Sequence, residues 1–416
     1  MSKQNTPQRI TWLGLATIWF GGMISVPSLL IGNALIAGLT FRDTLIAGFI
    51  GFSVVVAFMS LESVAAVERR RDTVSLAASA FGRSGAKVVV GLALGVSLLG
   101  WFGVQSGIAE GSFAKIASLS FGWHVSAQWS SFVLGLFMML TAVFGFRYLK
   151  LLNYVAVPCK ILLVAYAVIV AFQSKSFDLV TQYQPPESTR LDMFTAIGLS
   201  IGFFSVGGVI SPDYARHAES RRAAVMGSVL GMLPAALGLA ACGAMLAIVQ
   251  HTHDIVEIYA SLGMPMLALS VLIVATWTTN VMNAYSLGLA LNQLLHWPDS
   301  RRQWATLIAG VMGSGLAAAG ILNNFMGFLM LLTVTIPPIA GVLVSDYWIA
   351  RSYTDRPASA VNWRGVVAWS AGVAVMLALP HPLRSVLGIV VAALVFWFAV
   401  RLAPPAATNA EALDVQ

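Results

Sequence analysis

The chain has 416 residues, of which 58% are apolar and 10% are charged, whereas soluble proteins average about 25% charged residues. Its mean hydropathy is +0.81. This composition excludes an ordinary soluble domain and predicts a protein that lies within the lipid bilayer. The formal net charge of +7 is explained by attraction of loop Lys and Arg residues to anionic inner-leaflet lipid, so it does not indicate nucleic-acid binding.

Twelve apolar runs have the length that a helix needs to cross a hydrocarbon core of about 30 Å. The predicted spans are 12–37, 44–66, 87–110, 129–146, 151–172, 191–217, 223–249, 264–290, 303–319, 325–349, 363–379 and 385–401. With the N-terminus inside, 18 of the 24 Lys and Arg residues fall on the inner side and five on the outer side. This bias predicts that both termini are cytoplasmic.

A five-residue pattern occurs twice, as GGMIS from Gly21 and as GGVIS from Gly207, and each copy is followed closely by proline. Paired glycine weakens a helix and proline removes a backbone donor, so both spans are expected to break or unwind. The first copy lies in a span that enters from the cytoplasm and the second in a span that enters from outside. Close helix packing is the competing explanation for the glycines.

Interrupted helices at corresponding positions of two oppositely oriented halves are typical of a secondary transporter built from an inverted repeat. The predicted organisation is a tail at 1–11, a first repeat of five spans at 12–172, an outer linker at 173–190, a second repeat of five spans at 191–349, two further spans at 350–401 and a tail at 402–416. The broken helices would hold a substrate or ion near the membrane midplane.

Four stretches resemble signatures of bacterial cytosine permeases, which belong to the nucleobase and cation symporter family. They are GNALIAGLTFRD at 32–43, GWFGV at 100–104, TWTTN at 276–280 and NNFMGFLMLLTVTIPPIAGVLVSDYW at 323–348. The resemblance implies an all-α membrane protein of the leucine-transporter type, with a five-plus-five inverted repeat, broken helices 1 and 6 and two extra helices. It also implies a transporter rather than an enzyme, located in the inner membrane of a bacterium.

By this resemblance, Trp101 and Phe204 are the aromatic residues that would hold a flat heterocycle. Stacking between rings favours a planar ligand such as a nucleobase. Polar partners for the ring edges are expected among four side chains and two backbone positions, which are Gln105, Ser205, Asn280, Asn283, Gly21 and Gly207. Packing between helices is the competing role for the rings, and bridging between helices is the competing role for the amides.

Three positions depart from the family pattern. Cytosine permeases typically have Gln where this chain has Leu98, Asp where it has Val281, and Ser where it has Phe203. Because unpaired polar groups discriminate strongly between ligands, these losses change which ring edges can be recognised. The expected substrate is therefore cytosine or a related pyrimidine-like or purine-like heterocycle.

The coupling ion is expected to be Na⁺ or H⁺, and no organic cofactor is expected. The resemblance places a candidate sodium site at Gly21, Thr278 and Thr279, but a commonly occurring Asn is replaced by Ala275. A charged lysine, Lys160, lies in the fifth span, where it is a functional candidate by default. Its ammonium could replace sodium between helices 1 and 8, or the side chain could extend toward the inner surface.

Two acidic side chains, Glu62 and Glu110, are expected near the membrane interfaces, because they lie close to the ends of their predicted spans. Asp213 and Asp346 are expected to pair between inner loops or to orient the chain. A channel, or a membrane receptor that binds a small heterocycle without moving it, is the alternative to active transport.

Overall fold

A computed structural model describes residues 9–402 except 145, 174, 296, 356–358 and 380–383. Most of the predicted N-terminal tail and nearly all of the predicted C-terminal tail lie outside the described residues. The described part of the chain is almost entirely helical and contains no β-strand, with a single isolated bridge between Ile10 and Ala218. This confirms the all-α expectation.

Eighteen α-helices follow one another in the described residues. In chain order they are α1 (Trp12–Met23), α2 (Val26–Ile36), α3 (Phe41–Arg69), α4 (Thr73–Phe81), α5 (Arg83–Phe121), α6 (Ala127–Phe144), α7 (Phe146–Phe172), α8 (Asp178–Thr181), α9 (Met193–Val209), α10 (Ser211–Ala215), α11 (Arg221–Gln250), α12 (Ile255–Ala260), α13 (Pro265–Leu294), α14 (Arg302–Ala318), α15 (Phe325–Thr335), α16 (Pro337–Val344), α17 (Trp363–Ala378) and α18 (Arg384–Leu402).

Each predicted span contains at least one α-helix, and the first, sixth and tenth spans contain two. By length and composition, seven continuous segments can cross a membrane, and the bent pair α1 and α2 makes an eighth. Three shorter apolar helices lie at the predicted spans 4, 5 and 11, and α14 lies at span 9. These counts cover the described ranges only.

The first span is broken, as the sequence predicts, but the break lies after the glycine pair. Gly21 and Gly22 are part of α1, which ends at Met23, and the axis then turns by 62° into α2. Ser25 is extended at the break, and the Ser28 hydroxyl donates to the free Met23 carbonyl at 2.6 Å. The local chain therefore satisfies a backbone group that the interruption releases.

The sixth span has a much smaller interruption. Gly207 and Gly208 lie within α9, and only Ile210 separates α9 from α10. Both spans are thus interrupted, as the sequence predicts, but the glycine pair stays helical in each. In each case the next helix instead restarts with a proline in its first turn, Pro27 in α2 and Pro212 in α10, where a missing N–H is tolerated.

Both halves of the first span pack on the continuous helix α11 through glycine. A side chain at Gly32 of α2 would overlap the carbonyl of Ala240, and one at Gly243 of α11 would overlap the carbonyl of Leu29. Nearer the other end of α11, a methyl group at Gly231 would come within 2.6 Å of the α1 backbone. Here glycine allows close approach of two backbones.

The structure also moves two helix ends relative to the predicted spans. α5 continues to Phe121, so Glu110 lies about 16 Å along the helix from its end rather than near it. Glu110 is 9% exposed and accepts a hydrogen bond from Ser130 at 3.1 Å. Glu110 is therefore enclosed by protein and does not lie at the helix end where the predicted span placed it. α7 begins at Phe146, which places Lys160 deeper than the predicted boundary suggests.

Candidate functional site

Lys160 lies near the middle of its helix and faces the break in the first span. It is about 21 Å along α7 from Phe146, and its side chain is 7% exposed. Its Nζ donates to the Thr279 hydroxyl on α13 at 3.0 Å. Lys160 also lines a cavity of ≈ 10 Å³ with Ser25 at the break and Ala275 of α13. The side chain thus lies between the first, fifth and eighth spans and does not extend to the inner surface.

The neighbouring hydroxyls of α13 are engaged within the helix. Thr278 and Thr279 both donate to the carbonyl of Ala275, at 2.9 and 3.2 Å, and Thr278 is fully buried. A sodium ion is best held by several oxygen ligands. Here one hydroxyl oxygen already accepts from an ammonium group, and two cations would repel each other at this distance. The arrangement therefore fits the Lys160 ammonium better than an added sodium ion.

Trp101 on α5 is surrounded by three phenylalanine rings. Its ring centroid lies 5.5 Å from Phe203 of α9, 6.0 Å from Phe325 and 5.1 Å from Phe328 of α15. The interplanar angles are 89°, 64° and 84°, so none of these rings stacks flat on the indole. Trp101 is only partly buried. The cluster is a suitable wall for a flat aromatic ligand.

Gln105 follows Trp101 by one helical turn and therefore lies on the same face of α5. Its side chain is 1% exposed, and its Oε1 has no hydrogen-bond partner among the residues that the structure describes. A buried amide oxygen without a donor is costly, which makes it a candidate acceptor for a ligand N–H. Gln105 and Trp101 are thus the predicted site residues that the structure brings together most clearly.

Phe204 lies on a different side of α9 from the ring that contacts Trp101. Its centroid is 6.0 Å from that of Trp19 on α1, at an interplanar angle of 83°. The Phe204 ring also covers Gly207, where an added side chain would overlap it. Trp19 is 5% exposed, and its indole N–H has no acceptor in the described part of the chain. The structure therefore pairs Phe204 with Trp19 and assigns the contact with Trp101 to Phe203.

The remaining predicted polar side chains are those of Asn280, Ser205 and Asn283, and the amide oxygen of Asn280 also has no hydrogen-bond partner among the described residues. Asn280 is fully buried, and its amide nitrogen donates to Ser106 at 2.9 Å and to the Phe102 carbonyl at 3.1 Å. This joins α13 to α5, the competing role given above. Ser205 donates to the carbonyl of Gly202 at 3.0 Å within its own helix. Asn283 is half-buried on α13.

The space beside Gly21 is open, because a methyl group there would meet no atom within 4 Å. An open vestibule of ≈ 410 Å³ lies beyond Trp101, at the ends of α2 and α15. Asn33 and Asp254 line it, and Phe325 belongs both to this vestibule and to the cluster around Trp101. The vestibule therefore adjoins the aromatic cluster at Phe325.

A sequence profile of the family described as permeases for cytosine/purines, uracil, thiamine and allantoin matches residues 5–400. The chain belongs to this permease family. The match covers all twelve spans, so the protein is a multi-pass membrane permease and not an enzyme.

Curated relatives of the permease agree with this assignment. It is 28% identical over 391 residues to a cytosine permease of Escherichia coli (strain K12), covering 90% of this chain and 88% of that one. It is 23% identical over 416 residues to a hydantoin permease of Microbacterium maritypicum, covering 91% and 83% of the two chains.

Solved structures show the fold of the permease. An inward-facing conformation of Mhp1 is similar with a TM-score of 0.81 at 21% identity, covering 97% of this chain and 94% of that one. MhsT in complex with L-phenylalanine is similar with a TM-score of 0.58 at 13% identity, covering 95% and 99%. These similarities confirm the leucine-transporter type of fold.

Four aromatic residues of the site were not identified from the sequence of the permease: Trp19, Phe203, Phe325 and Phe328. Phe325 and Phe328 lie in the stretch NNFMGF that carries the family resemblance, so their positions offered a signal. Phe203 was noted only because it replaces a serine of the family, and its ring was not considered as a contact of Trp101. Trp19 lies two residues before the first glycine pair, a spacing that carries no such signal.

Proposed function

We propose that this permease is a secondary active transporter that imports a nucleobase or a similar nitrogen heterocycle by cation-coupled alternating access across a bacterial inner membrane, with both termini in the cytoplasm. The relatives at 28% and 23% identity are permeases for cytosine and for hydantoin, and a related Mhp1 structure has bromovinylhydantoin bound. These compounds are flat rings with several hydrogen-bonding edges. The observation that supports such a substrate best is the unpartnered Gln105 oxygen one turn from Trp101.

The proposed binding mode places the ring against Trp101 and a ring N–H toward the Gln105 oxygen. Stacking on an indole does not distinguish one heterocycle from another, since every such ring has a π-face. Selection would come from the amide, because a site that presents a buried acceptor rejects rings without a matching donor. Asn283 and the backbone at Gly21 are secondary candidates for further ring contacts, while Asn280 would position α5.

Coupling is proposed to use protons, with Lys160 as the group that carries the proton. Its hydrogen bond to Thr279 links α7 to α13, and its cavity includes the break in the first span. Gain or loss of a proton at Lys160 would change the charge shared by these three spans. The transport step could thereby respond to protonation, because an uncompensated buried charge is strongly unfavourable.

The experiment is uptake of labelled cytosine, uracil, a purine, hydantoin and a hydroxymethylpyrimidine into proteoliposomes, with proton and sodium gradients imposed separately. Accumulation above equilibrium that requires the proton gradient is the expected result. Accumulation that requires sodium instead would favour a cation site at Thr278 and Thr279 and contradict the role proposed for Lys160. Flux that never exceeds equilibrium indicates a channel, and binding without flux indicates a receptor.

A further inference from the structure

Glu62 on α3 is a buried acid whose carboxyl group accepts no hydrogen bond from the described residues. It lies about 10 Å along the helix from the end at Arg69, yet its side chain is only 3% exposed. Both carboxyl oxygens are buried, and neither has a hydrogen-bond partner among the described residues. Glu62, which was expected near a membrane interface, is thus enclosed by protein near the end of its helix. An ionised carboxylate in this environment would lack any group to replace its hydration.

A second acid shares the cavity that Glu62 lines, which has a volume of ≈ 20 Å³. Asp346 lies in a π-helical turn, Ser345–Ile349, that follows α16, and it is 3% exposed. Its Oδ1 accepts a hydrogen bond from Ser352 at 2.6 Å. Asp346 is thus buried and hydrogen-bonded to the loop that follows, and π-helical turns are frequent at functional sites.

The other titratable groups around this cavity are Tyr347 and Tyr353, and both hydroxyls are engaged elsewhere. Tyr347 donates to Glu68 at 2.5 Å and accepts from Arg69 at 3.2 Å, while Tyr353 donates to Asp355 at 3.0 Å. The lining residues from α4 and α16 are apolar, and α9, α10 and α11, which also pack on α3, contribute none. No positively charged residue belongs to the described lining.

Two ionised carboxylates facing one small cavity without a cation would combine desolvation with like-charge repulsion. The desolvation penalty alone is several kcal/mol per ion, and a buried acid avoids it by taking up a proton. The cavity is large enough for one water molecule, which needs about 10–15 Å³. A neutral carboxylic acid has one O–H group, which can donate a hydrogen bond to such a water molecule.

We propose that Glu62 is a proton-binding site of this permease, separate from Lys160, enclosed between α3 and the inner end of the tenth span. When the cavity opens to water, the Glu62 O–H bond breaks, water takes the proton, and the carboxylate becomes hydrated. The use of this proton in transport rests on the proposed cation-coupled function, whereas the presence of the proton does not. The two lining tyrosines bond to Glu68, Arg69 and Asp355 at the end of α3 that is expected to face the cytoplasm, so the site can respond to opening on that side.

The test is infrared spectroscopy of the full-length permease in lipid at neutral pH. The wild type is expected to show a carboxylic-acid C=O band that shifts in heavy water and is lost in Glu62→Gln. Glu68→Gln is the matched control on the same helix, because Glu68 forms an ion pair with Arg221 at 2.7 Å, whereas Glu62 has no partner in the described part of the chain. This control should leave the band unchanged. A wild-type spectrum without a band sensitive to Glu62→Gln would overturn the proposal.

Asp346→Asn gives a second measurement if Glu62→Gln does not fold. It retains Glu62 and removes the neighbouring carboxyl, so the band should remain and change frequency; an unchanged spectrum would contradict the shared cavity. In proteoliposomes, Glu62→Gln should retain equilibrium exchange and lose proton-driven accumulation. The infrared result needs no substrate, so failure of every heterocycle in the uptake experiment would contradict the proposed function without deciding whether Glu62 holds a proton.

Discussion

Lys160 of α7 and Thr279 of α13 are joined by a hydrogen bond of 3.0 Å beside the break between α1 and α2. The two residues are separated by 119 positions in the chain. Their contact links the fifth and eighth spans, and the first span completes the lining of the same cavity. A change in the charge of Lys160 therefore alters the electrostatic interactions of all three spans.

Replacing the lysine should separate substrate movement from energy coupling. In Lys160→Ala, we expect proton-driven accumulation to fall to the equilibrium level while exchange of substrate across the membrane continues. Proteoliposome uptake with and without an imposed pH gradient measures both. Lys115→Ala is the control, since Lys115 forms a surface ion pair with Glu257 at 2.7 Å. Unchanged proton and sodium dependence in Lys160→Ala would contradict its role in coupling.

The two neighbouring threonines provide a finer comparison. Thr279→Val removes the acceptor of the Lys160 hydrogen bond, while Thr278→Val removes a hydroxyl that donates only to the Ala275 carbonyl. Both changes nearly conserve volume. We expect the pH dependence of uptake to change in Thr279→Val and to stay as in the wild type in Thr278→Val. Equal effects of the two substitutions would show that the hydrogen bond from Lys160 to Thr279 does not determine the pH dependence of uptake.

Trp101 should contribute to substrate binding through its ring. Trp101→Ala is expected to weaken binding by at least about 2- to 13-fold, because an aromatic pair contributes about 0.5–1.5 kcal/mol beyond the burial of area. Trp101→Phe should recover part of the loss. Binding of labelled heterocycle to purified permease gives the dissociation constants. The control is Trp129→Ala, since Trp129 is 74% exposed, and a similar loss there would rule out a specific role for Trp101.

Gln105 can be tested by comparing binding with stability. If its oxygen accepts from the substrate, Gln105→Leu should weaken binding by about 5- to 150-fold, which corresponds to about 1–3 kcal/mol for an unmade hydrogen bond. The substitution should not lower the thermal stability of the substrate-free protein, because the oxygen has no protein partner to lose. Reduced stability together with unchanged binding would instead assign Gln105 to packing.

The close approach of α2 and α11 predicts that alanine substitution lowers thermal stability at one glycine and not at another. In Gly32→Ala the new methyl group would overlap the Ala240 carbonyl, and backbone cannot easily move aside. Overpacking of this kind costs about 1–3 kcal/mol. Gly238→Ala, on α11 itself, meets nothing within 4 Å. Thermal unfolding in detergent should therefore show a lower Tm for Gly32→Ala and a Tm near the wild type for Gly238→Ala.

The number and order of spans could be predicted because the bilayer imposes a minimum apolar length on each helix. The positions of the breaks could not be predicted as well. Glycine in a helix costs about 1 kcal/mol and proline about 3 kcal/mol, so a well-packed glycine pair can stay helical. Gly207 and Gly208 are covered by the rings of Phe204 and Phe58, and the interruption moves to Ile210, just before Pro212.

The site was predicted in outline, while the direction of individual side chains required the structure. Successive residues of a helix point about 100° apart. Phe203 and Phe204 can therefore contact Trp101 and Trp19 respectively, and the sequence does not reveal which ring contacts which partner. Lys160 was identified because a lysine in an apolar span is conspicuous. Glu62 was misjudged because the distance from a helix end gives depth and carries no information on burial within the protein.

The glycine contacts of α11 also bear on how the first span can move. The break between Met23 and Val26 would let α1 and α2 tilt separately, but each has its backbone against the same unbroken helix. If α1 or α2 tilted alone, it would separate from α11. The glycines at the contact have no side chain that could fill the resulting gap. We therefore expect α1, α2 and α11 to move together as one rigid body. Relative movement should then occur mainly where α7 and α13 contact this body.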